Sequence, residues 1–361
     1  MISAPERNAQ VRILDEMQNV YNFEENEPGL YRAITPFAAQ KGVGYRLVVE
    51  TRDGTSYSSE SESFESESQI EEVYADRDTN DEGDDGIFIY TDSFDSSGES
   101  QYYRYEYEET YKIIAPYWTQ LDFKLTNYEP CNPDFSSPLI LYDLEIVQRE
   151  QEEQTCYNTV SSTNIVQSSS AGFSDSRIER FPVRFIPGSD FILTHRYSIL
   201  VKQYVQSANA FSYYQSLNDF ASSQSVFTDI QPGFLAGNIV VDNNEDKKVL
   251  GYFEVTSVSE KRIFFGYRDF YPDAPFPLYI KKCVPFSTPL EHVSYCFNGP
   301  LGGNPCPESL IERMARDNIT YLDVNDGSVG ITCPGPYVVV ERECGDCTAL
   351  GSNVVPDFWV E

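Results

Sequence analysis

Apolar and polar residues alternate in short runs along most of the chain, and a period of two marks a half-buried strand. Ala9–Leu14 alternates in this way, Asn19–Phe23 is placed to pair with it, and Glu27-Pro-Gly supplies the turn that follows. Leu30–Ala33 and Tyr45–Glu50 read as further strands, and another enters after Asp53-Gly54. Gly86 opens a second strand-rich stretch, with strands expected at Ile87–Phe94 and Tyr102–Pro116 and a hairpin turn at Gly98-Glu-Ser between them. Within the second of these, Tyr103, Tyr105 and Tyr107 share one face while Arg104, Glu106 and Glu108 share the other. After Trp118–Leu125 the pattern loosens, and the polar, Ser-rich residues 128–180 read as long loops. Phe191–Val205 returns to strand, as do Gly237–Val241, Val249–Val255 and Arg262–Tyr267.

The period changes once clearly. Phe211, Tyr214, Leu217 and Ala221 recur at helical spacing, which predicts a helix over Ala208–Ser222 with Ser207 as its N-cap and those four residues as its core face. A shorter helix is expected at Pro307–Arg316, with Pro307 in its first position. No internal repeat of domain scale is present. The pattern divides the chain into a truncated β-sandwich at 1–60, an acidic Ser/Glu-rich linker or edge at 61–85, and a larger β-rich domain at 86–361 with a Cys-rich tail from 283.

Charge narrows the function classes. The 361 residues hold 57 Asp and Glu against 26 Lys and Arg, a net charge of −31. Nucleic-acid binding needs a basic face, and anionic lipid would repel such a chain. Aromatic content of 14%, with 26 Tyr and 23 Phe, separates it from disordered acidic sequences. No apolar run reaches the length of about 18 residues that a membrane-spanning helix needs.

Eight cysteines, Cys131, Cys156, Cys283, Cys296, Cys306, Cys333, Cys344 and Cys347, crowd toward a Gly- and Pro-rich end. That usage predicts disulfides formed outside a reducing cytoplasm. A Cys131–Cys156 bridge would stiffen the polar stretch it encloses. Cys344-Gly-Asp-Cys347 has the short spacing of a zinc arm, but a second arm is missing. Met1-Ile-Ser-Ala-Pro-Glu lacks an export signal. The first strands form a meander short of the roughly seven of a sandwich. Both observations lead to the expectation that strands and a signal lie upstream of Met1.

Local chemistry is sparse. Neither a nucleophile elbow, a zinc-protease helix, a phosphate loop nor a dinucleotide fingerprint is present. His195 and His292 are the only histidines, and neither has a local partner for nucleophilic catalysis. Carboxylates are too abundant for any pair to point to glycoside hydrolysis. Asp76, Asp78, Asn80, Glu82 and Asp84 place oxygens at alternate positions as a calcium loop does, although Asp81 stands where that loop has glycine and Ile87 where it has glutamate. Asn318-Ile-Thr320 fits a glycosylation acceptor. These residues lead to no expected cofactor and no catalytic residue.

The order of several segments carries a resemblance. Asn8-Ala-Gln-Val-Arg-Ile, Gly29-Leu-Tyr31, Gly44-Tyr-Arg-Leu and Asp53-Gly54 lead the chain. Tyr102-Tyr-Arg-Tyr, Tyr197-Ser-Ile-Leu-Val-Lys-Gln-Tyr204, Tyr213-Tyr214, Phe227 through Gly237-Asn-Ile and Leu250-Gly-Tyr-Phe253 follow. Cys344-Gly-Asp-Cys347 and Pro356-Asp-Phe-Trp359 close it. Together they resemble the outer-membrane lipoproteins of Bacteroidota grouped as domain of unknown function 4249. The resemblance implies an immunoglobulin-like or transthyretin-like β-domain followed by a larger β-rich domain. It also implies a lipid anchor, expected with the signal upstream of Met1, and a TonB-dependent outer-membrane receptor as partner in the capture or uptake of an unknown ligand. Members of the group have no defined catalytic residues. The expectation is therefore a non-enzymatic cell-surface protein, with glycan binding or carbohydrate processing as one alternative and a calcium-stabilised adhesion module as another.

Overall fold

A computed structural model of the chain describes residues 4–95, 97–129, 141–172, 176–222, 235, 237–244, 247–290, 308–330 and 334–361. The first strands form where the alternation places them: β1 (Gln10–Asp15), β2 (Val20–Glu27), β3 (Leu30–Ala33), β4 (Tyr45–Glu50) and β5 (Ser56–Ser59). They lie antiparallel in the order β5-β4-β1-β2-β3, and a strand from far along the chain, Ile239–Val241, completes the sheet on the free edge of β5. Gly29 takes the turn into β3 with φ +78°, and a Cβ there would meet that of Pro5 at 2.8 Å, so only glycine fits. Register sets Val11 opposite both Phe23 and Val49, and Ile13 opposite both Tyr21 and Leu47, which gathers apolar side chains on one face. Phe37 stacks on Tyr21 at 3.9 Å. Every one of these side chains stays partly accessible.

Within the acidic stretch, β6 (Gln69–Thr79) is an edge strand paired with β7 (Asp85–Phe94). The next strand, β8 (Tyr102–Ile114), belongs to a different sheet, so the turn at Gly98 is a crossing between sheets and not the expected hairpin. The buried Asp95 explains the change of direction. Its carboxylate accepts the amides of Ser97 and Ser100, both at 2.7 Å, and bends the chain away from β7.

The loop reading of 128–180 is also overturned. β9 runs from Leu121 to Glu129, and the stretch then holds β10 (Leu141–Gln148), β11 (Thr155–Ser161), β12 (Val166–Ser169) and the start of β13 (Arg177–Pro187). Both β11 and β12 pair along the long β8. Their polar side chains bond across the ladder, Thr159 to Thr110 at 2.9 Å and Ser168 to Tyr105 at 3.1 Å, so these strands lack the apolar alternation of a core strand.

After β13, Phe191–Leu193 is a single 3-10 turn capped by Asp190, and β14 (Arg196–Val205) begins later than expected. Ser207 caps α1 (Ala208–Ser222) as predicted, its Oγ accepting the Ala210 amide at 3.1 Å. The buried face of α1 is shifted: Ala210 and Tyr213 are buried, Phe211, Tyr214 and Leu217 are half-buried, and Ala221 is exposed. Phe211 meets Tyr102 and Tyr214 lies against Arg104, so the helix packs through its first two turns and its last runs past the sheet. The strand Ile239–Val241 is β15, and β16 spans Val258–Gly266. Val249–Val255, expected as a strand, makes no ladder with the described residues. The Asn238 side chain bonds both the amide and the carbonyl of Phe253 and takes the place of backbone pairing.

The core lies between the sheets β13-β7-β6 and β11-β8-β14-β16. Ile87, Ile89, Tyr103, Tyr105, Tyr197 and Ile199 are fully buried there, so the tyrosine face read from β8 is core and not a contact surface. The opposite face of the second sheet is strapped by the chain's end: Trp359 packs on Tyr157 and Phe264, and Arg262 stacks on Phe358 at 3.6 Å.

In the tail, α2 is Tyr267–Phe270 and α3 is Leu310–Ala315, which begins after the extended Ser309 and is shorter than the expected Pro307–Arg316. The hairpin β17 (Ile319–Val324) and β18 (Tyr337–Glu341) and the turn α4 (Arg342–Gly345) give the tail more order than loops alone. Cys156 bonds Cys347 and Cys283 bonds Cys344. The expected Cys131–Cys156 bridge is therefore replaced by one that ties β11 to the tail. Cys344 and Cys347 face different partners and are no zinc arm. Cys131, Cys296, Cys306 and Cys333, like Pro307 and His292, lie outside the described residues.

Candidate functional site

Three turns enclose an open cleft of about 720 Å³. The first is the β6–β7 hairpin. Asn80 shapes it by accepting the amides of Glu82 and Asp84, Gly83 adopts φ +90°, and the turn presents Arg77, Asp84 and Asp85. The second follows β13 at Pro187-Gly-Ser189, where a Cβ on Gly188 would come within 2.4 Å of the Tyr271 hydroxyl. The third runs from α2 through Pro277 and supplies Tyr267, Tyr271 and Phe276.

These side chains form a continuous stack. The Arg77 guanidinium lies over Tyr271 at 4.3 Å, Tyr271 is stacked on Tyr267 at 4.6 Å, Tyr267 meets Phe276 at 5.6 Å, and the Arg268 guanidinium lies over the Phe276 ring at 4.2 Å. Arg268 also donates to the carbonyls of Tyr271, Pro272 and Ala274, which fixes the loop that carries Phe276. Arg77 grips Asp85 with two bonds of 2.8 and 3.1 Å.

Two groups of the cleft have displaced pKa values. The hydrogen bonds from Arg77 hold the Asp85 carboxyl below its usual range. Burial, and then the Asp85 carboxylate, push the Tyr271 phenol up to about 12. Both shifts move these groups away from neutrality, where acid–base catalysis needs them. The cleft offers an aromatic, proline-lined wall and a guanidinium–carboxylate pair, the mixture of apolar area and a few fixed polar groups typical of ligand sites.

The sequence candidates fall elsewhere or do other work. Asp76 and Asp78 sit on β6 and both face Arg180, at 2.9 and 3.4 Å. Asn80 points into its own turn, and of the five calcium candidates only Asp84 lines the cleft. Among the described residues no group of three or more His, Cys, Asp or Glu has the placement to hold a metal ion. His195 has its pKa lowered by burial and by Lys112. Asn318 is exposed at the start of β17, and Thr320 is buried. Of the cleft residues, Tyr267 ends the expected strand Arg262–Tyr267, while Arg77, Arg268, Tyr271 and Phe276 were not singled out by periodicity. Their signal was the aromatic and proline density of Tyr267-Arg-Asp-Phe-Tyr-Pro-Asp-Ala-Pro-Phe-Pro277, just past the last expected strand.

The fold and cleft define a mainly β, sandwich-like, disulfide-braced protein with an open cleft at the turns of its central sheets. A family model described as Domain of unknown function (DUF4249) matches residues 2–262, and the chain belongs to that family. The match takes in two walls of the cleft and ends before Tyr267, so the third wall and the closing Cys344–Trp359 segment lie beyond it. No curated protein and no solved structure matches the chain.

Proposed function

We propose that the protein is a non-enzymatic, exported lipoprotein of the outer membrane or cell surface that captures a ligand in the Arg77–Phe276 cleft as accessory partner of a TonB-dependent transporter. The observation that carries the binding half is the stack from Arg77 to Arg268, which frames the cleft. The two disulfides support export, because such bonds persist in oxidising compartments. The transporter rests on the resemblance to the Bacteroidota lipoproteins alone. Purifying the full-length, lipidated protein from outer membrane under mild detergent tests it. A TonB-dependent transporter is expected as the stoichiometric companion, and its absence would count against the partnership.

One observation favours a glycan as the ligand. Asp84 and Asp85 are adjacent carboxylates in the cleft that the exposed Phe276 also lines, and sugars are held by aromatic contacts together with carboxylates on their hydroxyls. Binding to a glycan array, weakened on the order of tenfold by Phe276→Ala, is the expected outcome. Equal binding by the two proteins would remove the cleft from that role.

A further inference from the structure

Side chains alternate across β6, β7 and β13, and Val73, Ile87, Ile89 and Ile186 take the core side. The opposite face of that sheet carries aromatic rings in register, Phe88 opposite Phe185 and Tyr90 opposite Tyr74. The four form one contiguous group, with ring centroids 4.7 Å apart for Phe88 and Phe185, 5.5 Å for Phe88 and Tyr90, and 5.7 Å for Tyr74 and Tyr90. Gly86 makes room for it: a Cβ there would come within 2.4 Å of the Phe185 ring, so that ring lies against the β7 backbone. Tyr74, Phe88 and Phe185 stay partly accessible. Arg180 is aimed onto this group by a strained backbone. It lies in the β-bulge between Ile178 and Phe181 with φ +52°, which is uncommon for a long side chain. Its guanidinium lies over Tyr90 at 4.1 Å and pairs with Asp76 at 2.9 Å and Asp78 at 3.4 Å. Asp92 accepts the Arg180 amide at 2.6 Å and the Tyr74 hydroxyl at 3.3 Å. The side chains of Arg180, Asp76 and Asp78 are 47%, 48% and 53% accessible.

We infer that this outer face of the β6-β7-β13 sheet is a binding platform for a neutral glycan chain, separate from the cleft. Arg77 stands between Asp76 and Asp78 on β6 and so leaves by the other face, where it meets Tyr271. A sugar ring has an apolar C–H face and a rim of hydroxyls. The accessible aromatic rings meet the first. The carboxylates meet the second, and they are already fixed by Arg180 and Tyr74, so accepting hydroxyls from a ligand costs little ordering entropy. A bulge that re-aims one side chain, at a backbone outlier, is a device found beside binding and active sites. Charge selects the occupant. A chain of net −31 repels polyanions, and with them nucleic acid and uronate or sulfated glycans. Bilayer hydrocarbon would strip the water from Arg180, Asp76 and Asp78. The core of a protein interface would bury the same ion pairs at a desolvation cost, whereas a sugar chain lying on the rings leaves them wet.

Affinity electrophoresis of the full chain through gels holding soluble xyloglucan, galactomannan, arabinoxylan or mixed-linkage β-glucan tests the platform. At least one polymer should retard the wild type, and the retardation should persist in about 0.5 M NaCl, where attraction between exposed charges is screened. Tyr74→Ala should weaken binding about tenfold, the cost of truncating a central aromatic contact. Arg180→Gly suits the φ of +52° and so keeps the fold, and should weaken binding about fivefold, the worth of one hydrogen bond. Phe276→Ala, in the cleft, should leave it unchanged. No retardation by any of the four polymers, retardation abolished by salt, or binding that falls with Phe276→Ala and survives both Tyr74→Ala and Arg180→Gly would each overturn the platform. The last of these would leave the glycan to the cleft. Binding that falls with Tyr74→Ala and Arg180→Gly alone would retain the platform and remove the glycan from the cleft.

Discussion

The N-terminal sheet and the central sandwich are built from strands of similar kind, yet only the second has an interior. All the residues of the central hydrophobic cluster lie at or beyond Ile70. The apolar face of Val11, Ile13, Tyr21, Phe23, Leu47 and Val49 remains half open. What attaches that sheet to the body is polar. Asp242 accepts the hydroxyls of Ser56 at 2.6 Å and Ser58 at 2.7 Å, and Glu62 accepts from Asn238 and Tyr252. The central sheets instead close over Tyr and Ile side chains and trap a charge pair inside. Alternation alone makes a sheet; a second apolar layer makes a core. The two regions should therefore come apart under different stresses.

The largest effect is expected at Glu109. This side chain, 9% accessible, accepts the Tyr197 hydroxyl at 2.6 Å and two bonds from Arg184, and so joins β8, β14 and β13 across the sandwich. Glu109→Ala leaves a guanidinium and a buried phenol without their acceptor, a loss of about 3 kcal/mol. Urea denaturation followed by Trp and Tyr fluorescence measures it. A loss below about 1 kcal/mol would mean that the pair is solvated and that the central interior is less dry than its burial indicates.

Much of this architecture was legible in the residues. The front strands and α1 with its Ser207 cap could be read because one face of each is apolar and the other polar, the case for which periodicity is informative. β11 and β12 were hidden because they are held by hydroxyl and amide contacts on the flanks of a longer strand, which leaves no apolar stripe. The Gly98 crossing was hidden for a different reason. A turn sequence fixes the local bend, while the choice of sheet depends on where Asp95 is buried. Cysteine count predicted disulfides, but connectivity needs proximity, and Cys156 finds Cys347 at a separation of 191 residues. The cleft was least legible. Arg77 meets Tyr271 only after two segments far apart in the chain have folded, and neither residue is distinctive alone.

The next effect sharpens the comparison from the other side. Asp242→Ala removes both serine hydroxyls' acceptor at the seam between β5 and β15. A loss of about 1.5–3 kcal/mol is expected, confined to the attachment of the N-terminal sheet. Hydrogen exchange should accelerate over residues 10–59 while β8 and β14 keep their protection. Equal acceleration in both regions would show that they open as one cooperative unit.

The smallest effect tests whether the joint between the two central sheets is electrostatic. Burial would raise the Asp95 carboxyl, but the amides of Ser100 and Ser97 and the Ser97 hydroxyl outweigh it, and the net shift is downward. A carboxylate whose folded value is depressed contributes stability above its unfolded value of about 3.9 and loses it as pH falls through the folded value. Asp95→Asn cannot titrate and keeps one acceptor oxygen, so a loss of about 1 kcal/mol is expected at pH 7. The gap between the two proteins should persist at pH 5 and close toward pH 2, because acid removes the advantage of the carboxylate from the wild type alone. Urea midpoints at pH 7, 5 and 2 measure it. A gap unchanged across that range would assign the bend at β7 to shape and leave the Asp95 charge no part in directing the chain from one sheet to the other.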